Sequence, residues 1–216
     1  GVSEAEITSQ GGSNIVVAIP GEPDEATLNL VRESAQMLFR PVIAITAPGP
    51  VPADQVVTPP APAADAPKPT DASDPAWLTP ELQKTLETYD CTDPANLTGG
   101  AAKVGDLDAG VVACDEQGTA KYVLGPVEVR GQDVASASSG LRVTQTGAVT
   151  NEWVTNIEFD GAGTAKFREV TTRLLNLEPP RNQFAMVLDG LVISAPSVNS
   201  VISNGKAEIS GTFTRE

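Results

Sequence analysis

The sequence contains no histidine, and that absence removes more chemistry than any single residue adds. Ser-His-Asp and Cys-His systems need an imidazole to carry the proton, and HExxH sites need two as zinc ligands, so none of them can be assembled within this chain. Cysteine is nearly as scarce. Cys91 and Cys114 are the only two, and two thiolates without an imidazole leave a zinc ion short of ligands. Their polar settings, Asp90-Cys91-Thr92 and Cys114-Asp115-Glu116, favour a disulfide formed in an oxidising compartment over two buried free thiols. Aromatic residues make up 4% of the chain and the 40% apolar share leans on alanine and valine, so thin cores of small and β-branched side chains are expected. Basic residues are outnumbered: 14 Lys and Arg stand against 28 Asp and Glu, a formal charge of -14 that argues against a nucleic-acid partner. No apolar run approaches the roughly 20 residues of a membrane-spanning helix. No signal-peptide pattern opens the chain, and the start GVSEAE lacks a methionine. A segment of a longer protein is expected, with targeting or membrane-spanning parts outside it.

What is present begins with an α/β piece. Ile7 to Gln10 and Asn14 to Ile19 read as a hairpin around Gly11-Gly12. A helix from Glu25 to Leu38 follows, with Asp24 as N-cap and Leu28, Val31, Ala35 and Leu38 on one face, and Arg40-Pro41 stops it before a strand at Val42 to Ile45. From Ala47 to Pro80 lie 10 of the 18 prolines, with no periodic apolar face, which predicts an extended linker or long loop. Ala47 to Thr119 also carries 12 acidic residues against 3 lysines, a net of -9, so most of the negative charge sits there.

Beyond the linker, Thr79 and Pro80 open a short helix with Trp77, Leu82, Leu86 and Tyr89 in one stripe. Strands are expected at Tyr122 to Leu124, Val127 to Val129, Val143 to Thr146 and Trp153 to Phe159, the last alternating as a half-buried strand does. A helix from Thr164 to Asn176 follows, with Phe167, Val170, Leu174 and Leu177 facing one way. The block from Asn182 to Thr214 organises the rest. Phe184 to Leu188 is apolar on both alternating faces, so it reads as a strand covered on both sides. Asp189-Gly190 is a hairpin turn signal, Ala195-Pro196 ends the returning strand, and Asn204-Gly205 introduces one more at Lys206 to Ser210.

The chemistry-bearing candidates are few. Gly161-Ala-Gly163 could bind an anion at a helix N-terminus, but Lys166 replaces the third glycine of a dinucleotide fingerprint, and a tight strand-to-helix turn explains the pair. Asp106, Asp108, Asp115 and Glu116 lack the spacing of a calcium loop and read as solvated acids. Asp189 is explained by turn chemistry. No catalytic, cofactor-binding or metal-ligating set emerges, and the chain does not read as an enzyme.

The block QFAMVLDGLVISAPSVNSVISNGKAEISGTF, with VSEAEITSQGGSNIVVAIP, AQMLFRPV, YVLGPVEVRG and WVTNIEFDGAGTAKF in the same order, resembles the large extracytoplasmic domain of SecD, an auxiliary subunit of the Sec translocase. The likeness covers most of residues 1–46 and 121–214. The Pro/Ala linker and the cysteines look like an actinobacterial elaboration. The resemblance implies an α+β fold: a partial ferredoxin-like base of hairpin, helix and strand (1–46) and a larger mixed α+β head (77–216); composition adds the linker between them (47–76), and residue context the Cys91–Cys114 bridge within the head. It implies a place on the extracytoplasmic side of the cell membrane, held by flanking membrane-spanning segments, with SecF and the Sec channel as partners. The implied task is assistance to proton-gradient-driven export, with unfolded preproteins bound transiently, or else a docking role in assembly without client contact. Leu191, Ile193, Pro196, Val198, Val201 and Ile202 are the candidate contact surface; the alternative is that all six are core. Asp189, Gly190, Asn204 and Gly205 are candidate structural turns.

Overall fold

The computed structural model describes residues 6–10, 14–18, 37–51, 68–99, 104–143 and 147–210. Residues 25–36 of the expected first helix, the middle of the Pro/Ala segment, and 144–146 of an expected strand lie outside them. The architecture is α+β.

β1 (Glu6–Gln10) and β2 (Asn14–Ala18) form the expected antiparallel hairpin, Gln10 opposite Asn14. β3 (Met37–Thr46) departs from expectation. Met37 and Leu38 belong to this strand and not to a helix, and Arg40-Pro41 lies inside it instead of marking a stop. The reason is burial: every residue from Leu38 to Ile43 is buried, so both faces of the segment are claimed by the core, and local helical spacing yields to that. Pro41 is tolerated because it falls between the residues of β3 that face Val129–Arg130 (Leu38, Phe39) and those that face Lys121–Leu124 (Val42 onward), while on the opposite edge the Val42 amide donates to the Gln183 carbonyl at 3.1 Å.

Next come α1 (Pro80–Thr88), β4 (Val111–Cys114), β5 (Lys121–Leu124), β6 (Val129–Arg130), β7 (Val134–Val143), β8 (Val149–Phe159), α2 (Gly161–Leu174), β9 (Phe184–Leu188), β10 (Leu191–Ser194) and β11 (Lys206–Ser210). One six-stranded sheet runs β10-β9-β3-β5-β4, with β6 also on β3. Its two ends meet where Asp115, just after β4, bridges Val192 of β10 and the Glu116 amide donates to the Val192 carbonyl at 3.2 Å. A second sheet runs β11-β8-β7. The polar stretch within β7 shows no alternation in sequence; it becomes a strand by pairing along β8 from Val134 opposite Phe159 to Val143 opposite Val149.

Alternation along β3 and β9 divides the interior into two cores. Phe39, Phe184 and Met186 face one, with Ile157, Phe159, Phe167, Val170, Leu174 and Ala207. Leu38, Val42, Ala185 and Val187 face the other, with Ala113, Leu124 and Val192. Phe184 to Leu188 is thus covered on both sides, as its composition predicts. The first core is not thin. Four of the five phenylalanines meet there, with ring centroids 4.4 to 6.0 Å apart. Scarce aromatics have been concentrated at one place.

Local chemistry fixes the ends. Thr79 caps α1, its hydroxyl accepting from the Leu82 amide, as expected. Helix α2 starts at Gly161, three residues before its expected start, because Asp160 caps it by accepting from the Gly163 amide at 2.7 Å. A Cβ on Gly163 would collide with the Asp133 carbonyl, which accounts for that glycine as close packing. At the β9–β10 turn Asp189 has φ 50° and Gly190 φ 87°, the left-handed pair that a type I′ hairpin requires. Cys91 and Cys114 are joined by a disulfide, both fully buried.

The acidic segment and its borders are stapled by two buried cations. Arg40, with no exposure, donates through Nη1 to the carbonyls of Ala109 and Gly125 (both 2.9 Å) and through Nη2 to that of Asp106 (2.7 Å). Burial draws its pKa down to about 10, against the pull of Asp106 and Asp108. Lys121 donates to the carbonyls of Gly49 (2.9 Å) and Tyr89 (2.8 Å), binding the entry to the Pro/Ala segment to the end of α1. At its exit, Arg173 bonds the Ser73 hydroxyl and the Glu128 carboxylate, and Arg181 bonds the Ser73 carbonyl. Both described ends of the segment are therefore anchored.

Candidate functional site

Between β10 and β11 the chain runs without regular structure, and this strap from Ala195 to Ser203 covers the phenylalanine core. Three hydrogen bonds hold it. The Phe184 amide donates to the Pro196 carbonyl (3.1 Å), the Val198 amide to the Asn182 carbonyl (2.8 Å), and the Ile202 amide to the Thr171 hydroxyl (3.1 Å). Proline at the strap's start explains why β10 does not simply continue.

Beneath the strap lies an opening of about 160 Å³. Its floor is Phe39, Phe159, Phe167, Phe184 and Met186, and its walls include Ile157, Thr171 and Ala207. Pro196, Val198 and Ile202 form the rim on the strap side. The one ionisable lining residue among those described is Glu208, whose carboxylate pairs with Arg142 at 2.8 Å. Such a site suits an apolar group with a polar or charged neighbour at its edge.

Of the six candidate contact residues, the structure brings Pro196, Val198 and Ile202 together here. Ile193 packs against the same core without lining the opening. Leu191 is at the β9–β10 turn beside Gly99, and Val201 points outward with 41% of its surface exposed. Reading the sequence missed the floor because its phenylalanines come from β3, β8, α2 and β9. The available signal was the α2 stripe and the alternation of β8, both of which place a phenylalanine on the buried face.

The other candidates are occupied by the protein itself. The Asp160 carboxylate takes the α2 N-terminus that Gly161-Ala-Gly163 could have offered to an anion. Asp133 is buried beside it, bound to Lys166 at 2.8 Å and to the Arg130 amide at 2.9 Å. Burial raises its pKa, but those bonds outweigh it and hold the carboxyl below its usual range. The Asp115 carboxylate accepts from the Thr119 and Ala120 amides and from the Thr119 hydroxyl. Among the described residues no three acidic or thiol groups converge to hold a metal ion.

Residues 109–216, half of the chain, match the family described as SecDF, P1 head subdomain. The chain belongs to the SecDF P1 head family. The SecD relatives agree. The protein translocase subunit SecD of Streptomyces coelicolor is 38% identical over 144 residues, covering 64% of this chain and 24% of the relative. SecD of Syntrophobacter fumaroxidans is 27% identical over 215 residues, 99% of this chain and 31% of that protein. Across the curated relatives it matches, this chain spans 11% to 31% of their length. The crystal structure of SecDF, a translocon-associated membrane protein, from Thermus is 24% identical over all of this chain and 22% of that one. Its TM-score with this chain is 0.41. The strap and much of the phenylalanine core, including β8, α2, β9 and β11, fall inside the P1 head match, while Phe39 on β3 lies before it. No helix of the described residues is long and apolar enough to cross a membrane.

Proposed function

We infer that this chain is the extracytoplasmic head of a SecD subunit, which assists proton-gradient-driven export by transiently binding unfolded preprotein. SecF and the Sec channel are its partners in the membrane, and flanking segments of the full protein anchor it there. The observation that carries this reading is the apolar opening over the phenylalanine core, rimmed by Pro196, Val198 and Ile202 in a chain that belongs to the P1 head family. A sequence-tolerant binder needs an apolar receptor and a permissive edge, not placed catalytic groups. The net charge of -14 favours approach of basic polypeptide, an attraction that salt screens.

Binding of a fluorescent unfolded preprotein segment to the 216-residue chain tests the proposal. Saturable binding that weakens about tenfold in Val198→Asp is expected, the size of one lost apolar contact with a charge put in its place. No binding by the wild-type chain leaves the head as a docking element of the translocase that does not touch clients.

A further inference from the structure

The geometry points to Thr171 as the residue that sets which side chain the opening accepts, by latching the strap at Ile202; this rests on the polypeptide-binding reading above. Thr171 has no exposed surface and lines the opening. Its hydroxyl serves both its own helix and the strap. It donates to the Phe167 carbonyl at 2.8 Å, with the Arg168 carbonyl at 3.3 Å sharing that return bond of a helical threonine, and it accepts the Ile202 amide at 3.1 Å from 31 residues away. The strap's other two anchors, at Pro196 and Val198, lie at its beginning, so Thr171 fixes its far end. Between these points Ser197, Asn199, Ser200 and Val201 are exposed, and the strap's distance from the floor depends on the latch.

The size of the space decides what fits. An apolar cavity of roughly 150 Å³ accommodates benzene, and the volume here is about 160 Å³. With the latch closed, one phenylalanine or leucine side chain of an extended client is the proposed occupant, and the larger indole is the misfit that the latch penalises. The chain's net negative charge favours a lysine or arginine next to that residue.

The test uses the 216-residue chain and four soluble peptides of Ser and Lys that differ only at a central Phe, Leu, Ala or Trp. Methyl NMR of Met186 and Ile202 reports binding, and amide exchange at Ile202 and Phe184 reports the strap. In the wild type, Phe and Leu peptides shift both methyls, while Ala and Trp peptides bind about tenfold more weakly, the scale of a misfit in an apolar pocket. Thr171→Val keeps the shape and removes the hydroxyl, so the Trp penalty disappears and Ile202 exchange accelerates while Phe184 exchange does not. Thr171→Ser behaves as wild type. Ile202→Pro deletes the same amide from the strap side and, with the peptide ranking read at the Met186 methyl alone, gives an independent result if Thr171→Val fails to fold. An unchanged Phe-over-Trp ranking in these variants overturns the inference. Peptide binding that leaves both methyls unmoved overturns it with the polypeptide-binding reading intact, and absence of all binding removes both.

Discussion

Phe184→Ala probes the phenylalanine core at its centre. Phe184 is 3% exposed, sits on β9 between β10 and β3, and lies 6.0 Å from the Phe39 ring and 5.8 Å from that of Phe167. Truncating a buried phenylalanine costs about 3–5 kcal/mol through lost transfer energy and the cavity left behind. Each aromatic pair contributes about 0.5–1.5 kcal/mol beyond its buried area, which moves the expectation up. The opening already beneath the strap moves it down, since the strap can settle into the new space. About 3–4 kcal/mol is the expected loss, within the range for a buried phenylalanine. In a chain of this size it corresponds to roughly 6–16 °C in melting temperature. Urea unfolding of the oxidised chain measures it, with an unchanged slope showing that stability and not compactness has altered. Leu175→Ala, at a side chain 38% exposed, is the control and should stay within about 0.5 kcal/mol. A loss below about 1 kcal/mol for Phe184→Ala, or equal losses in the two variants, would refute the two-core description.

Three further outcomes are expected. Arg40→Met strands three carbonyls and should cost about 3 kcal/mol or more, at about 1–3 per unpaired buried acceptor; a neutral change in urea unfolding would show that water replaces the guanidinium. Reducing the Cys91–Cys114 bridge, whose cysteines are 23 positions apart, should lower stability by roughly 3 kcal/mol on the loop-closure account, read as a shift of the urea midpoint with and without reductant. In acid, Glu128 and Asp133 act in opposite senses. Burial, opposed by Arg173, raises the Glu128 pKa, so the folded state holds its proton more tightly and stability falls as pH rises from 4.5 through the folded value. Asp133 is held low, so its contribution is complete above 3.8 and is lost as pH falls through its folded value. Glu128→Gln should therefore steepen the loss of stability on acidification above pH 4.5, and Asp133→Asn should flatten the curve below pH 3.8; identical pH profiles for the two variants would contradict the assignment.

Features governed by neighbours along the chain are legible in the sequence itself. Asp189-Gly190 announces its turn because the positive φ values are a local demand, and Thr79-Pro80 announces a helix start for the same reason. The stripe of Phe167, Val170 and Leu174 carries its own burial pattern. Features decided by distant partners are not legible in this way. Met37 to Pro41 looks like the end of a helix until β9 and β6 pair with it. The Ser and Ala of β7 carry no pattern, and β8 supplies the structure. The rim of the candidate site is half legible, through Pro196, Val198 and Ile202, because a proline-broken apolar run is visible locally. Its floor requires four phenylalanines from four elements, and its latch requires a threonine whose helix gives no sign of the distant amide it receives.

The most direct test is photo-crosslinking in the full-length subunit, with the reactive group placed in turn at Val198, Ile202, Glu81 and Thr172 while a preprotein is held partway through export. Client crosslinks from Val198 and Ile202, and none from the exposed Glu81 and Thr172, are predicted by polypeptide binding under the strap. Crosslinks confined to Glu81 or Thr172, or absent from all four positions while export proceeds, would contradict it.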